Sequence, residues 1–413
     1  MIKINGNFET LFLRAGSVFS PAAPVDRKAL FAGRLDQLSR VIDAINTKGQ
    51  HAIIYGERGV GKTSLANILH ETLEVMGFGN VTVNKTNCDS TDDFSSVWRK
   101  ALKSIVQIAE VPGIGFEPTI KQYMMDLAQT LGEGIVPNEI CRAFLRCSQP
   151  IVFIFDEFDR MHDARAAELF ADTMKSLSDQ GITGTLVLVG VGDDVDDLIE
   201  GHESIARSLI QIRVPRMSVD ELKQIVQRAL ESLGMTINES ALDRVVRLSQ
   251  GLPHYTHLLG LGSARAALRV ELLNIALEHV NLAIGEAVQQ AQQSVVSAYQ
   301  KATSSPHSGH LYKEVLLACA LAQGDELGYF AAGDIRNPLS RIMQKKYEIS
   351  AFAQHLNKFT SEARGNILVK AGLKRSFRYR FKNPLMRPYV VIRGFHDRLL
   401  NESNLDLIPI WSP

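Results

Sequence analysis

Cysteine is scarce in this chain: Cys88, Cys141, Cys147 and Cys319 are the four among 413 residues. None forms a C-x-x-C pair and no histidine stands beside one at zinc spacing. That excludes a disulfide scaffold and a Cys/His zinc module, and leaves the reduced thiols of a cytosolic protein. Long apolar runs are also missing; none approaches the roughly 18 residues that span a bilayer. The opening stretch, MIKINGNFETLFLRAG, has neither a basic leader nor an apolar core behind it, so it is not a signal peptide. Net charge is absent too, with 45 basic and 45 acidic side chains. The chain as a whole therefore favours neither a nucleic-acid nor a membrane partner. There is no internal repeat and no low-complexity tract. Together these absences predict a soluble, cytoplasmic protein.

What is present is ordinary in bulk. Hydrophobic residues make up 45% and charged residues 22% of the chain, enough to bury a sizeable core without staples. Two to four domains follow from the length, at roughly 100–200 residues each. Short apolar runs recur: HAIIY (51–55), VTV (81–83), IVFIF (151–155), TLVLVG (185–190) and IQIRV (210–214). Helical stretches separate them, and that alternation predicts a parallel sheet covered on both faces. From Ser218 the pattern is helical, beginning with a capping box, Ser218 and Glu221. A long helical stretch is expected over roughly 270–301, and SSPHSG (304–309) marks a boundary.

Chemistry enters directly after the first apolar run. Gly56, Glu57, Arg58, Gly59, Val60, Gly61, Lys62 and Thr63, followed by Ser64, fit G-x-x-x-x-G-K-[ST] between a strand and a helix. Glycines let backbone N–H groups close on phosphate oxygens, and the helix N-terminus adds positive charge. Lys62 is expected to reach the β- and γ-phosphates of ATP, and the Thr63 hydroxyl to ligate Mg²⁺. A second apolar strand delivers Asp156 and Glu157 at its C-terminal end, the edge where open α/β sheets bind ligands. Asp156 is expected to hold Mg²⁺ and Glu157 to polarise the attacking water.

An acidic pair placed in this way beside a P-loop resembles the AAA+ and STAND groups of P-loop ATPases. Phe31, Ala32, Gly33 and Arg34 resemble the segment these families place near adenine. The strand ending at Val191, Gly192, Asp193 and Asp194 stands where AAA+ proteins often carry a γ-phosphate-sensing Asn or Thr; here the position offers Asp193. Arg207 resembles the finger that initiator-type AAA+ proteins project into a neighbour's ATP, which implies self-association with nucleotide; a local ion pair is the alternative. Gln250, Gly251, Leu252, Pro253 and His254 resemble the G-x-P motif of STAND lids, implying a lid contact from Pro253 and His254 to the nucleotide.

The C-terminal part carries a second signal. Between Arg341 and Arg393 there are thirteen Lys or Arg and two acids, a local net charge of +11. LYKEVLLACALA (311–322), a short element near Phe330–Ile335, ISAFAQHLNKFTSEA (349–363) and a hairpin of ILVKAG (367–372) with FRYRF (377–381) follow in order. This resembles the winged helix-turn-helix domain of archaeal-type origin-recognition ATPases. The resemblance implies that the third helix enters the major groove of double-stranded DNA through Gln354, His355, Asn357 and Lys358. Arg364 and the wing residues Lys374, Arg375 and Arg378 would then meet phosphates. The alternative is that these charges dock on the acidic stretch Asp193–Glu200 of the same or a neighbouring protomer.

The expected layout is an extension over 1–30, an AAA+ P-loop core over 31–216, an all-α lid and linker helix over 217–303, a winged helix-turn-helix domain over 304–400 and a tail over 401–413. Two functions fit it. One is a slowly hydrolysing ATP switch, with cofactors ATP and Mg²⁺, that couples nucleotide state to DNA binding. The other is a STAND-type regulatory ATPase whose C-terminal domain holds an effector protein.

Overall fold

The computed structural model describes residues 6–21, 23–24, 31–75, 81–103, 105–112, 118–147, 149–199, 202–305, 310–373 and 376–410. Contacts divide the chain into two compact units. One comprises Pro24–Glu57 and Gly61–Val214; the other comprises Met1–Ala23, Arg58–Val60 and Pro215–Pro413. In chain order, helix α1 (Gly6–Val18) belongs to the second unit and the elements from α2 to β7 to the first.

The first unit runs α2 (Leu35–Asn46), β1 (His51–Gly56), α3 (Lys62–Val75), β2 (Thr82–Asn87), α4 (Phe94–Leu102), β3 (Ile105–Pro112), β4 (Pro118–Met125), α5 (Pro137–Phe144), β5 (Ile151–Asp156), α6 (Ala164–Asp179), β6 (Gly184–Val191) and β7 (Leu209–Arg213). The five apolar runs pair in parallel, in the order β2-β5-β6-β1-β7. Every residue of β5 and nearly every residue of β1 is buried, as strands covered on both faces require. The core on one face is aromatic. Trp98 lies within ring contact of Phe94, Phe144, Phe153, Phe155 and Phe170. Helix α4 is aimed there by its start: Asp93 accepts the Ser96 N–H, and Ser96 Oγ accepts the Asp93 N–H. An antiparallel hairpin, β3 with β4, interrupts the parallel pattern between α4 and α5.

The second unit continues with α7 (Val219–Leu233), β8 (Thr236–Ile237), α8 (Glu239–Ser249), α9 (Pro253–Arg269), β9 (Asn274–Ile275), α10 (Leu277–Gln290), α11 (Gln293–Thr303), α12 (Tyr312–Leu321), β10 (Phe330–Ala331), α13 (Arg336–Ile342), α14 (Ile349–Phe359), β11 (Leu368–Ala371), β12 (Arg378–Phe381) and α15 (Met386–His396). The capping box at Ser218 and Glu221 forms as expected. The single helix expected over 270–301 is instead two. Glu271 turns left-handed after α9, and extended backbone at Ala291 and Gln292 divides α10 from α11. No proline or glycine marks that second break in the sequence, so periodicity alone carries the pattern through it.

The first 30 residues hold more than an extension. Helix α1 packs on α9 and α7, burying Ala15, Val18 and Phe19. Gly260 on α9 makes room: a Cβ there would stand 2.5 Å from the Phe19 ring. On α9, Arg265 lies over the Phe12 ring at 4.9 Å.

Towards the C-terminus, β12 sits between β10 and β11 in an antiparallel sheet. Tyr379 and Phe381 point into the core while Arg378 is exposed, the period of two read from FRYRF.

Candidate nucleotide site

The sheet positions the site. Strand β6 lies between β1 and β5, with Gly56 beside Val191 and Phe155 beside Leu188, and β2 brings Asn87 beside Asp156. The chain therefore leaves β1 and β5 at the same C-terminal edge. Gly56, Gly59 and Gly61 have φ of 151°, 88° and 97°, values that favour glycine. A Cβ on Gly56 would also stand 2.4 Å from the Val214 carbonyl oxygen, so the chain leaving β7 enforces a glycine at this point.

Lys62 opens α3. Its buried ammonium donates to the carbonyls of Gly56 at 2.9 Å and Glu57 at 2.8 Å, so the loop curls around it. Thr63 Oγ1 donates to Asp156 Oδ1 at 3.3 Å, which brings the two sequence motifs together. Glu57, Thr63 and Ser64 are half-buried, Arg58 is exposed and Val60 is buried. Asp156 is 2% exposed; Oδ1 also accepts the Glu157 N–H at 2.9 Å, and Oδ2 faces the Lys85 ammonium of β2 at 3.0 Å. Glu157 is left-handed, with φ 57°, and one of its carboxylate oxygens takes Arg160 Nη1 at 2.6 Å.

A hydroxyl and a carboxylate are hard oxygen donors of the kind Mg²⁺ takes. They are too few to hold it alone, and among the described residues no group of three or more His, Cys, Asp or Glu could hold a metal ion. The residues fit a metal that arrives with phosphate oxygens and water. Beside them, Cys88 is an inert thiol: burial, then Asp92 and Asp156, push it up to about 12.

The remaining candidates fall in several places. The Val191 N–H at the end of β6 donates to Asp159 Oδ1 at 2.8 Å. The Asp193 N–H is bound to Asp197 Oδ2 at 2.7 Å and the Asp197 N–H to Asp194 Oδ1 at 3.1 Å, so the acidic stretch closes on itself; Glu200 lies outside the described residues. Gly33 and Arg34 are both left-handed, and the buried Arg34 starts α2. Arg207 is exposed on the turn before β7 and makes no ion pair or hydrogen bond among the described residues. Pro253 opens α9, and His254 Nδ1–H donates to the Pro21 carbonyl at 2.7 Å. Burial lowers the His254 pKa, partly offset by that bond.

The basic C-terminal residues are largely engaged within their own unit. Lys358 Nζ donates to Tyr312 Oη at 3.0 Å, and Arg364 lies over the same ring at 3.8 Å. Arg378 pairs with Asp325 at 2.8 Å, Arg341 with Asp406, and Arg393 with Asp397 at 3.1 Å. Those three acids lie just outside the window counted as +11. Arg387 is buried, closing the end of α12 through the Ala320 and Ala322 carbonyls. Gln354, Asn357, Lys345 and Lys382 are exposed, while Lys374 and Arg375 lie outside the described residues.

The motifs did not bring in Lys85, Asn67, Asp159 or Arg160. Of these, Arg160 had a signal, three residues after Glu157. Lys85 had none, because only the β2–β5 register sets it against Asp156.

Among the described residues no helix is long and apolar enough to cross a membrane. Residues 45–199 match the family described as AAA domain. Among solved structures, the chain is similar to the Aeropyrum pernix Orc1 protein in complex with DNA (17% identity, covering 93% of this chain and 97% of that one, TM-score 0.48). It is similar also to a Walker-type ATPase of Pyrococcus abyssi (14%, 91% and 99%, 0.49) and to the Thermotoga maritima RuvB Holliday junction branch migration motor (14%, 89% and 95%, 0.44). No curated protein sequence matches. The family match begins within α2 and ends after β6, so the stretch that matches the AAA domain family spans both loops that meet at Thr63 and Asp156.

Proposed function

We propose that the protein is a slowly hydrolysing ATP switch that couples nucleotide state to binding of double-stranded DNA. The observation that carries the ATP part is the hydrogen bond from Thr63 to Asp156, which joins the glycine loop and the acidic strand end at one place. Amides of residues 56–64 and Lys62 would meet the phosphates; Thr63 and Asp156 would hold Mg²⁺, and Glu157 would orient the attacking water. Gly33 and Arg34 would lie by adenine, and Pro253 and His254 would supply the lid contact. Arg207, exposed and without a partner among the described residues, suits a finger offered to a second copy.

For DNA, the support is the order of parts after residue 310: three helices, then a hairpin, with Gln354, Asn357 and Lys358 exposed on the third main helix. That order of parts supports reading the unit as a winged helix-turn-helix domain. A specific observation favours the second reading, a STAND-type switch holding an effector protein. Lys358, Arg364 and Arg378 are all committed to contacts within the unit. A gel shift with duplex DNA across salt concentrations, with and without ATP, separates the two. The DNA reading expects affinity that falls steeply with salt. No shift at low salt in either nucleotide state removes it.

A further inference from the structure

The carboxylate of Asp156 has almost no water, at 2% exposure. A buried charge of this kind needs a counter-charge close by. The ammonium of Lys62 donates to the carbonyls of Gly56 and Glu57. Lys85 supplies a counter-charge, from a strand that the nucleotide motifs leave out. It stands two residues before Asn87, which is the register partner of Asp156, so its stem runs along the sheet toward the C-terminal edge and ends 3.0 Å from Oδ2. Asn67, on the helix that follows the glycine loop, accepts from the same ammonium through Oδ1. The head of Lys85 is thus held between α3 and β5 at the carboxylate that would hold Mg²⁺.

We propose that Lys85 is a positioning residue that sets the magnesium demand of the site. Its ammonium and Mg²⁺ are alternative counter-charges of Asp156. Lys85 holds the carboxylate in place when no metal is held, and it raises the metal concentration at which nucleotide is held with Mg²⁺. Two cations beside one carboxylate repel each other, so removing the ammonium favours the metal. This inference rests on the ATP·Mg²⁺ reading of the loop.

The test is binding rather than turnover. A fluorescent non-hydrolysable ATP analogue is titrated against wild type, Lys85→Gln and Lys85→Arg over a series of Mg²⁺ concentrations. Glutamine keeps a donor for Asp156 without the charge; arginine keeps the charge. The half-saturating Mg²⁺ for Lys85→Gln is expected to fall about tenfold, the worth of one unit charge several ångström away in a partly hydrated site. Lys85→Arg is expected to follow wild type. Asn67→Ala, which loosens the ammonium without removing it, is expected to shift in the same direction by less. Unchanged or increased magnesium demand in Lys85→Gln overturns the proposal while leaving the nucleotide site standing. If wild type does not bind the analogue at any Mg²⁺ concentration, the ATP reading itself falls and this inference falls with it.

Discussion

Lys62 and Glu157 sit at the same sheet edge, yet neutralising them has different consequences. The Lys62 ammonium is buried among backbone carbonyls, where a triphosphate would compete for it. Lys62→Ala is expected to weaken ATP binding roughly 100-fold or more, the usual effect of losing one partner of a buried charge pair. Glu157 is half exposed and left-handed, its carboxylate drawn toward Arg160. Glu157→Gln keeps the shape and loses the base, so binding is expected to survive while phosphate release slows about 100-fold or more. Equilibrium binding and phosphate release on the same preparations check both; a Glu157→Gln protein that turns over normally would remove Glu157 from the chemistry. These residues were legible because the loop motif and the acidic strand end are local patterns. Lys85 was not legible, because its role comes from strand pairing, which a single segment does not encode.

At the level of elements, α4 shows how sequence and packing divide the work. Asp93 and Ser96 start the helix by a local rule, and its apolar stripe marks one face as buried. What that face meets is a tertiary matter: Trp98 stacks 5.6 Å from Phe170 and meets the rings of Phe153 and Phe155 edge-on at 5.2 and 4.9 Å. Trp98→Ala is expected to destabilise the first unit by about 3–5 kcal/mol, read as a lower urea midpoint; a loss below about 1 kcal/mol would mean that the cluster is loosely packed. The five parallel strands were legible as short apolar runs. The β3–β4 hairpin was not, nor was the docking of α1, since Leu13 on its open side is 71% exposed and blurs the apolar stripe. The break between α10 and α11 carries no breaker residue and therefore no signal.

Across the whole molecule, neutrality conceals buried histidines in both units, His51 in the first and His257 in the second. His51 Nε2–H donates to the Met174 carbonyl, and Nδ1 accepts the Leu186 N–H, both at 3.0 Å. A second proton on Nδ1 would face that N–H. Burial holds His51 at about 4, and burial with the nearby His254 holds His257 at about 4. Unfolded, each titrates near 6.5, so the unfolded chain binds protons that the folded chain refuses. Stability is expected to fall as pH drops from 6.5 towards 4, by about 2 kcal/mol per histidine at pH 5. Melting curves between pH 7.5 and 5 check this, and His51→Gln should remove its share of the slope. A melting temperature unchanged over that range would contradict the burial of both rings.

The local sequence by itself determined the glycine loop, the acidic strand end, the order of parallel strands and helices, and the surplus of basic residues near the C-terminus. Each is written within a few consecutive residues or in a repeating period, so no partner is needed to read it. Only the tertiary structure decided which charges answer one another. It set Lys85 against Asp156 and paired Arg341, Arg378 and Arg393 with acids beyond the basic stretch. It also buried Arg387 at a helix end. Charge acts through space at a few ångström, and distances that short between remote residues exist only once the chain has folded.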